Sequence, residues 1–307
     1  MSAPSAARRR VRAAAAVAVS AALMFSLAAC ASSTASDGVA ELGAGIPAMA
    51  FNQAAAAQLP DAIKASKVLT VAIPTNEPPT QFYREGTREM TGTNPDVARL
   101  IGQALGVKVD IKVANFDSII PGMAGGRYNM TVSSMTPTEN RMKVLDFVDY
   151  LQMGNSIAVG TGNPQGITEE AALCGKKVGL LIGSYQLTAN VPAADEKCQA
   201  EGKAPIQTSE FQDTRQAISG LTSGRLDAVL ADSPILNFAA KANPDIEISS
   251  QYDFTPVGVG LPIESGLLTS VSAAMAEVLK SDSYKQVLKK YGLESSAITD
   301  PRVNFAQ

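Results

Sequence analysis

Ser134 and Asp232 carry chemistry suited to a small polar ligand, and they stand at equivalent places in two similar stretches of sequence. Met123-Ala124-Gly125-Gly126-Arg127-Tyr128-Asn129 resembles Leu221-Thr222-Ser223-Gly224-Arg225-Leu226-Asp227. Each reads as a helix end, a Gly-Arg turn and the start of a strand. Ser134 follows Gly126 by eight residues, and Asp232 follows Gly224 by eight. Each therefore falls just past the carboxyl end of its strand, the edge where open α/β sheets bind ligands. Two such units suggest two similar lobes sharing a cleft; a chance likeness of two helix–turn–strand units is the competing reading. Other chemistries are excluded by composition. There is no histidine, so histidine triads and histidine metal sites are absent. No catalytic residue, metal or cofactor is expected.

The elements that must position these residues alternate short apolar strands with helical patterns. Strands are expected at 67–73, 107–113, 177–181, 227–231 and 257–261. Helices are expected from Asn94-Pro95, read as an N-cap with proline behind it, to Leu105, and then at 118–124 and 213–223. Ser233-Pro234 caps another, and Leu267, Leu268, Val271, Met275, Val278 and Leu279 form one face of a closing helix. Such alternation means an α/β fold with largely parallel sheets.

The chain opens with Arg8-Arg9-Arg10-Val11-Arg12, followed by an apolar run from Ala13 to Ala29. That run has the length of a signal-peptide core and is short for a membrane span. It ends in Leu27-Ala28-Ala29-Cys30, which resembles the lipobox of bacterial lipoproteins. The resemblance implies a signal peptide over 1–29 and lipid on Cys30, with an ordinary signal peptide or a short transmembrane anchor as the alternatives. Residues 30–60, rich in Ala, Ser and Gly, read as a flexible tether. Removal of 1–29 takes away four arginines and no acid, so the net charge moves from −3 to −7. An acidic chain of this kind argues against nucleic acid. With Cys30 lipidated, Cys174 and Cys198 remain as an even pair in an exported protein, expected as a disulfide, with two buried thiols as the alternative.

Taken in order, a longer set of pieces resembles the polar amino-acid family of solute-binding proteins of ATP-driven importers. The pieces include Val68-Leu69-Thr70-Val71-Ala72, Pro78-Pro79, Gly92 with Asp96-Val97-Ala98, and Phe116-Asp117-Ser118-Ile119-Ile120-Pro121-Gly122-Met123. They continue through Ser134-Met135-Thr136-Pro137-Thr138-Glu139-Asn140-Arg141, Gly175-Lys176-Lys177-Val178-Gly179 and Ser223-Gly224-Arg225-Leu226-Asp227 to Asp232. The resemblance covers about residues 67–292. It implies a two-lobed type II periplasmic-binding-protein fold with two hinge crossings, near 158–163 and 252–257. Lobe 1 would take residues 61–160 and 255–307, and lobe 2 residues 161–254.

The same resemblance assigns roles. A ligand carboxylate is matched by the planar, permanently charged fork of an arginine, and the family's Thr-x-x-Arg element falls on Thr138 to Arg141. Ser134 and Thr136 would add hydroxyl and backbone donors, as would Ser184 and Tyr185 on the other lobe. Asp232 would accept from the ligand ammonium. The family's aromatic ring near the end of the first strand falls nearer Glu77 than Phe82. A glutamate at that position suits a ligand with an extra cation or hydrogen-bond donors, so a polar or basic amino acid is expected. Residue-level alternatives are a solvated helix arginine for Arg141, a helix-dipole acid for Asp232, an ordinary helix start for Ser184 and Tyr185, and a surface acid for Glu77. Partners implied are a permease with its ATPase subunits and the membrane, reached through the lipid; the chain is expected to act as a monomer on the extracytoplasmic face. The competing functions are a periplasmic dehydratase on the same fold, with Glu77 or Glu264 as general acid, and a ligand-sensing subunit of a signalling system.

Overall fold

The computed structural model describes residue 42 and residues 45–306. The apolar leader, Cys30 and much of the expected tether lie outside the described residues. The chain forms α1 (Gln53–Ala56), α2 (Asp61–Ser66), β1 (Val68–Ile73), β2 (Phe82–Tyr83), β3 (Met90–Thr91), α3 (Thr93–Leu105) and β4 (Lys108–Val113). It continues with α4 (Phe116–Ala124), β5 (Met130–Met135), α5 (Glu139–Met142), β6 (Leu145–Gly160), β7 (Lys177–Leu181) and α6 (Val191–Ala200). Last come β8 (Gln207–Phe211), α7 (Thr214–Thr222), β9 (Ala228–Asp232), α8 (Ser233–Ala242), β10 (Ile246–Pro262), α9 (Leu268–Lys280) and α10 (Asp282–Tyr291). Among the described residues, no helix is long and apolar enough to cross a membrane.

Eight strands form one sheet in the order β4-β1-β5-β10-β6-β9-β7-β8. β1 lies parallel between β4 and β5, and β7 lies parallel between β8 and β9. The long strands β6 and β10 run antiparallel to each other between these two trios. Each trio has its own core. Val97, Leu100, Ile101 and Leu105 of α3 pack with Val271, Met275 and Val278 of α9 around Leu69, Val71 and Val257. In the other half, Ile157, Val159, Val178, Leu180, Ala228 and Leu230 pack together. This is the two-lobed α/β fold expected from the sequence, with β6 and β10 as its two crossings.

Several local expectations shift. The short strand expected at 257–261 is the end of the much longer β10, and β6 had no counterpart in the sequence reading. β6 is buried along nearly its whole length and β10 from Thr255 to Leu261, so period-2 alternation is lost there. β6 leaves the first core at Met153 and joins the second at Ile157, so this crossing precedes the expected 158–163, and residues 157–160 pack with the second half. The tether expected through residue 60 is also shorter. Ala55 and Leu59 are buried in the first core, with Leu42, Ile46 and Met49 against it, because these apolar side chains cover the α3 side of that lobe. Asn94 is no N-cap. α3 starts two residues earlier behind Gly92, whose φ of +121° and contact with Thr80 leave no room for a side chain.

Cys174 and Cys198 form a disulfide. It closes a loop of about 25 residues, for which the chain-entropy model gives roughly 3 kcal/mol. Reduction is expected to lower the unfolding midpoint; a reduced protein with an unchanged midpoint would show the bridge to be neutral.

Candidate functional site

The sequence echo is also a structural one. Gly126 and Gly224 both take φ +71°. The residues three positions on do the same work: the N–H of Thr70 donates to Asn129 Oδ1 and that of Lys177 to Asp227 Oδ2, each at 2.8 Å. Each bond aligns a neighbouring strand of its trio, and an amide serves as well as a carboxylate there because only an acceptor is needed. β5 and β9 therefore begin alike, and Ser134 and Asp232 emerge at their carboxyl ends.

All seven residues expected in the site line one cavity: Glu77, Ser134, Thr136, Arg141, Ser184, Tyr185 and Asp232. Arg141 is only 8% exposed. Thr138 caps α5 by accepting the Arg141 N–H at 3.2 Å, which fixes the residue on the first turn. Its guanidinium donates to Thr136 O at 2.7 Å in its own lobe and to Gly183 O at 2.8 Å in the other, and it lies 5.6 Å from the centre of the Phe116 ring. A guanidinium has five N–H donors, so donors remain for a carboxylate. Burial pulls its pKa down to about 10, opposed by Asp232 and Tyr185, and it stays charged at neutral pH. The alternative of a solvated arginine does not apply to this buried side chain.

Ser134 is held by a closed set of hydrogen bonds and takes φ +55°. Its N–H donates to the Tyr150 hydroxyl at 2.9 Å, Tyr150 donates to Asn94 Oδ1 at 2.7 Å, and Asn94 Nδ2 donates to Ser134 Oγ at 3.0 Å. Asn94 also donates to Gln81 Oε1. The asparagine read from sequence as a cap thus turns inward to brace the binding turn. Across the cavity, Ser184 Oγ accepts from the Leu187 N–H at 3.2 Å. Tyr185 is half-buried, and burial raises its phenol pKa.

Two carboxylates line the same cavity as Arg141. Asp232 precedes α8 and accepts from Gln186 Nε2 at 2.8 Å. Burial raises its pKa to about 6, against the pull of Gln186 and Arg141. Glu77 is 3% exposed, so it is no surface acid. Its Oε1 accepts from Thr214 Oγ1 at 2.8 Å, at the start of α7 in the other lobe, and its Oε2 accepts from Gln81 Nε2 at 2.7 Å. Burial pushes it to about 7, and the Asp232 charge pushes the same way. Glu264, the other acid considered from sequence, stands exposed in the turn after β10.

Phe116, Gln186 and Thr214 also line the cavity, and sequence reading missed all three. The aromatic ring of the cavity comes from the start of α4 and not from the 76–83 loop. Phe82 sits in the β2–β3 hairpin instead. Gln186 and Thr214 are ordinary polar residues near helix starts and carried no signal.

Residues 69–294 match the family model of the bacterial extracellular solute-binding proteins, family 3. The chain is 28% identical over 250 residues to the arginine-binding protein ArgT of Corynebacterium glutamicum, covering 81% of this chain and 82% of that one. Among solved structures, an ancestral arginine-binding protein bound to arginine superposes with a TM-score of 0.67 at 30% identity, over 73% of this chain and 98% of that one. An ancestral amino acid-binding protein described as a precursor of cyclohexadienyl dehydratase superposes with a TM-score of 0.64 at 25% identity, over 75% and 98% of the two chains.

Proposed function

The chain belongs to family 3 of the bacterial extracellular solute-binding proteins, and from that premise we propose that it captures an amino acid with a cationic side chain, arginine foremost, for an ATP-driven importer. The observation that carries this reading is the charge pattern of one cavity, lined by a buried arginine, Arg141, and two acids, Asp232 and Glu77. A basic amino acid has the complementary pattern of one carboxylate and two cations. Arg141 would take the carboxylate, with Ser134, Thr136, Ser184 and Tyr185 around it. Asp232 would take the ammonium and Glu77 the side-chain cation. Each charged hydrogen bond contributes roughly 1.5–3 kcal/mol, and the set is strengthened by the exclusion of water.

In this reading residues 1–29 are a signal peptide, Cys30 carries lipid, and the protein works as a monomer on the outer face of the membrane. Closure of the lobes around the ligand would present a surface to a permease. Binding shifts an open–closed equilibrium by its preference for the closed form.

The test is thermal unfolding of residues 31–307 against every free amino acid. Arginine, then lysine and ornithine, are expected to raise the midpoint most; a ligand at 100 times its Kd adds about 2.7 kcal/mol. A response to neutral or acidic amino acids alone would overturn the basic assignment. A buried acid with a raised pKa also suits general acid catalysis, and one structural neighbour is named as a dehydratase precursor, so prephenate and arogenate are assayed in parallel. No turnover is expected, because Asp232 and Glu77 are better matched to two ligand cations than to a leaving hydroxyl.

A further inference from the structure

Asp232 does not end at the cavity wall. Gln186 Nε2 donates to Asp232 Oδ1 at 2.8 Å and also to Asn155 Oδ1 at 2.6 Å. Asn155 Nδ2 in turn donates to Asp253 Oδ2 at 3.1 Å and to Asn190 Oδ1 at 3.2 Å. Asn190 Nδ2 closes the set on Asp253 Oδ2 at 3.2 Å. Asn155 and Asp253 do not line the cavity. Asn155 lies in β6, opposite Asp232 of β9 on one side and Tyr252 of β10 on the other. Asp253 takes φ +52° where the β6–β10 register shifts between Tyr252 and Thr255. Gln186 and Asn190 begin and end one π-helical turn, a form often found at functional positions.

The orientation of this set is forced. A carboxylate only accepts, whereas an amide has one acceptor and two donor hydrogens. With a carboxylate at each end, Gln186 must turn its NH2 to both Asp232 and Asn155, and Asn155 must turn its NH2 to Asp253. Flipping either one sets donor against donor or acceptor against acceptor. Gln186 and Asn155 are buried, where such mismatches are costly and satisfied networks are rigid. The place of the Asp232 carboxylate is thus tied, through two amides, to the backbone at the bend of β10.

We infer that Gln186 and Asn155 are positioning residues that couple the ligand-facing carboxylate of Asp232 to the bend of the crossing strands at Asp253. The inference rests on the binding role proposed for Asp232. An ammonium held on Asp232 fixes Gln186, and Gln186 keeps both its bonds only while β6 and β10 hold the bend that the structure shows. Ligand release then requires the whole set to break, so the set acts on residence time.

Stopped-flow binding of L-arginine tests this on wild type, Gln186→Leu, Asp253→Ala, Asn155→Ala and the Gln186→Leu/Asp253→Ala double variant. Asp253 is exposed, so its truncation keeps the fold even if Asn155→Ala does not. Asp253→Ala is expected to speed dissociation about tenfold, the worth of one charge-assisted hydrogen bond, with association changed less than about twofold. The double variant should dissociate no faster than Gln186→Leu alone, because one coupled set is broken once. Additive effects, or an unchanged rate in Asp253→Ala, would overturn the coupling. Should wild type ignore L-arginine, the ligand assignment fails by itself, and the coupling is decided without ligand. Spin labels on Lys108→Cys and Arg225→Cys, one in each half, then report the interlobe distance. Asp253→Ala and Gln186→Leu should widen its distribution alike and non-additively; a distribution identical to wild type would sink the coupling.

Discussion

Arg141→Lys should lower amino-acid affinity by about 100-fold or more, with the fold retained. Truncating one member of a buried, hydrogen-bonded charge pair costs roughly 2–5 kcal/mol. Lysine keeps the charge but has a point ammonium in place of the fork. The guanidinium already holds Thr136 O and Gly183 O with two of its nitrogens. An ammonium with three donors cannot serve both carbonyls and a bidentate carboxylate at once. Loss of the Gly183 contact also removes a bond between the lobes, so the closed form suffers with the ligand contact. Calorimetric titration is the direct measurement, and a Kd within a few-fold of wild type would remove Arg141 from the site.

The second large effect concerns pH. Glu77 is held at about 7 in the folded protein against 4.5 for the free side chain, chiefly by burial and then by the Asp232 charge. Asp232 itself is raised from 3.8 to about 6. A carboxyl with a raised folded pKa binds protons more tightly when folded, so its contribution is fully present below the unfolded value and is lost as pH rises through the folded one. The ligand-free protein should therefore lose stability between about pH 4 and pH 7 and level off above. For Glu77 alone the loss is on the order of 3 kcal/mol. Glu77→Gln should flatten this slope, raise the ligand-free midpoint at pH 8, and abolish the preference for cationic over neutral amino acids. Added arginine should do in wild type what the substitution does in the free protein, since its cation offsets the buried charge. A ligand-free midpoint that rises from pH 5 to pH 8 would contradict the assignment.

Much of the site was legible because its residues are tied to local signals. The Gly126 and Gly224 turns place Ser134 and Asp232 at strand ends from nearby sequence, whereas Arg141 came from the likeness of Thr138 to Arg141 to the family's Thr-x-x-Arg element, because the Thr138 cap by itself reads as the start of a solvated helix turn. The disulfide followed once Cys30 was set aside for lipid, which leaves two of the three cysteines. What was hidden depends on distant chain segments meeting. Phe116 stacks on Arg141, Thr214 receives Glu77, and Asn94 braces Ser134 only because the lobes and loops come together, and no periodicity encodes that. β6 was missed for a different reason: a strand buried first in one core and then in another has no single polar face to alternate.

The pairing of β6 with β10 through both halves has a mechanical consequence. A ribbon of two hydrogen-bonded strands bends and twists readily but resists stretching, because lengthening it would break its ladder. Its register shifts, between Ile248 and Ser250, Tyr252 and Thr255, and Val257 and Gly258, mark where it yields. The two halves should therefore swing like covers on a spine, with the gap at the rim set by one angle. Any pair of reporters across the rim would then trace the same coordinate, differing only in lever arm.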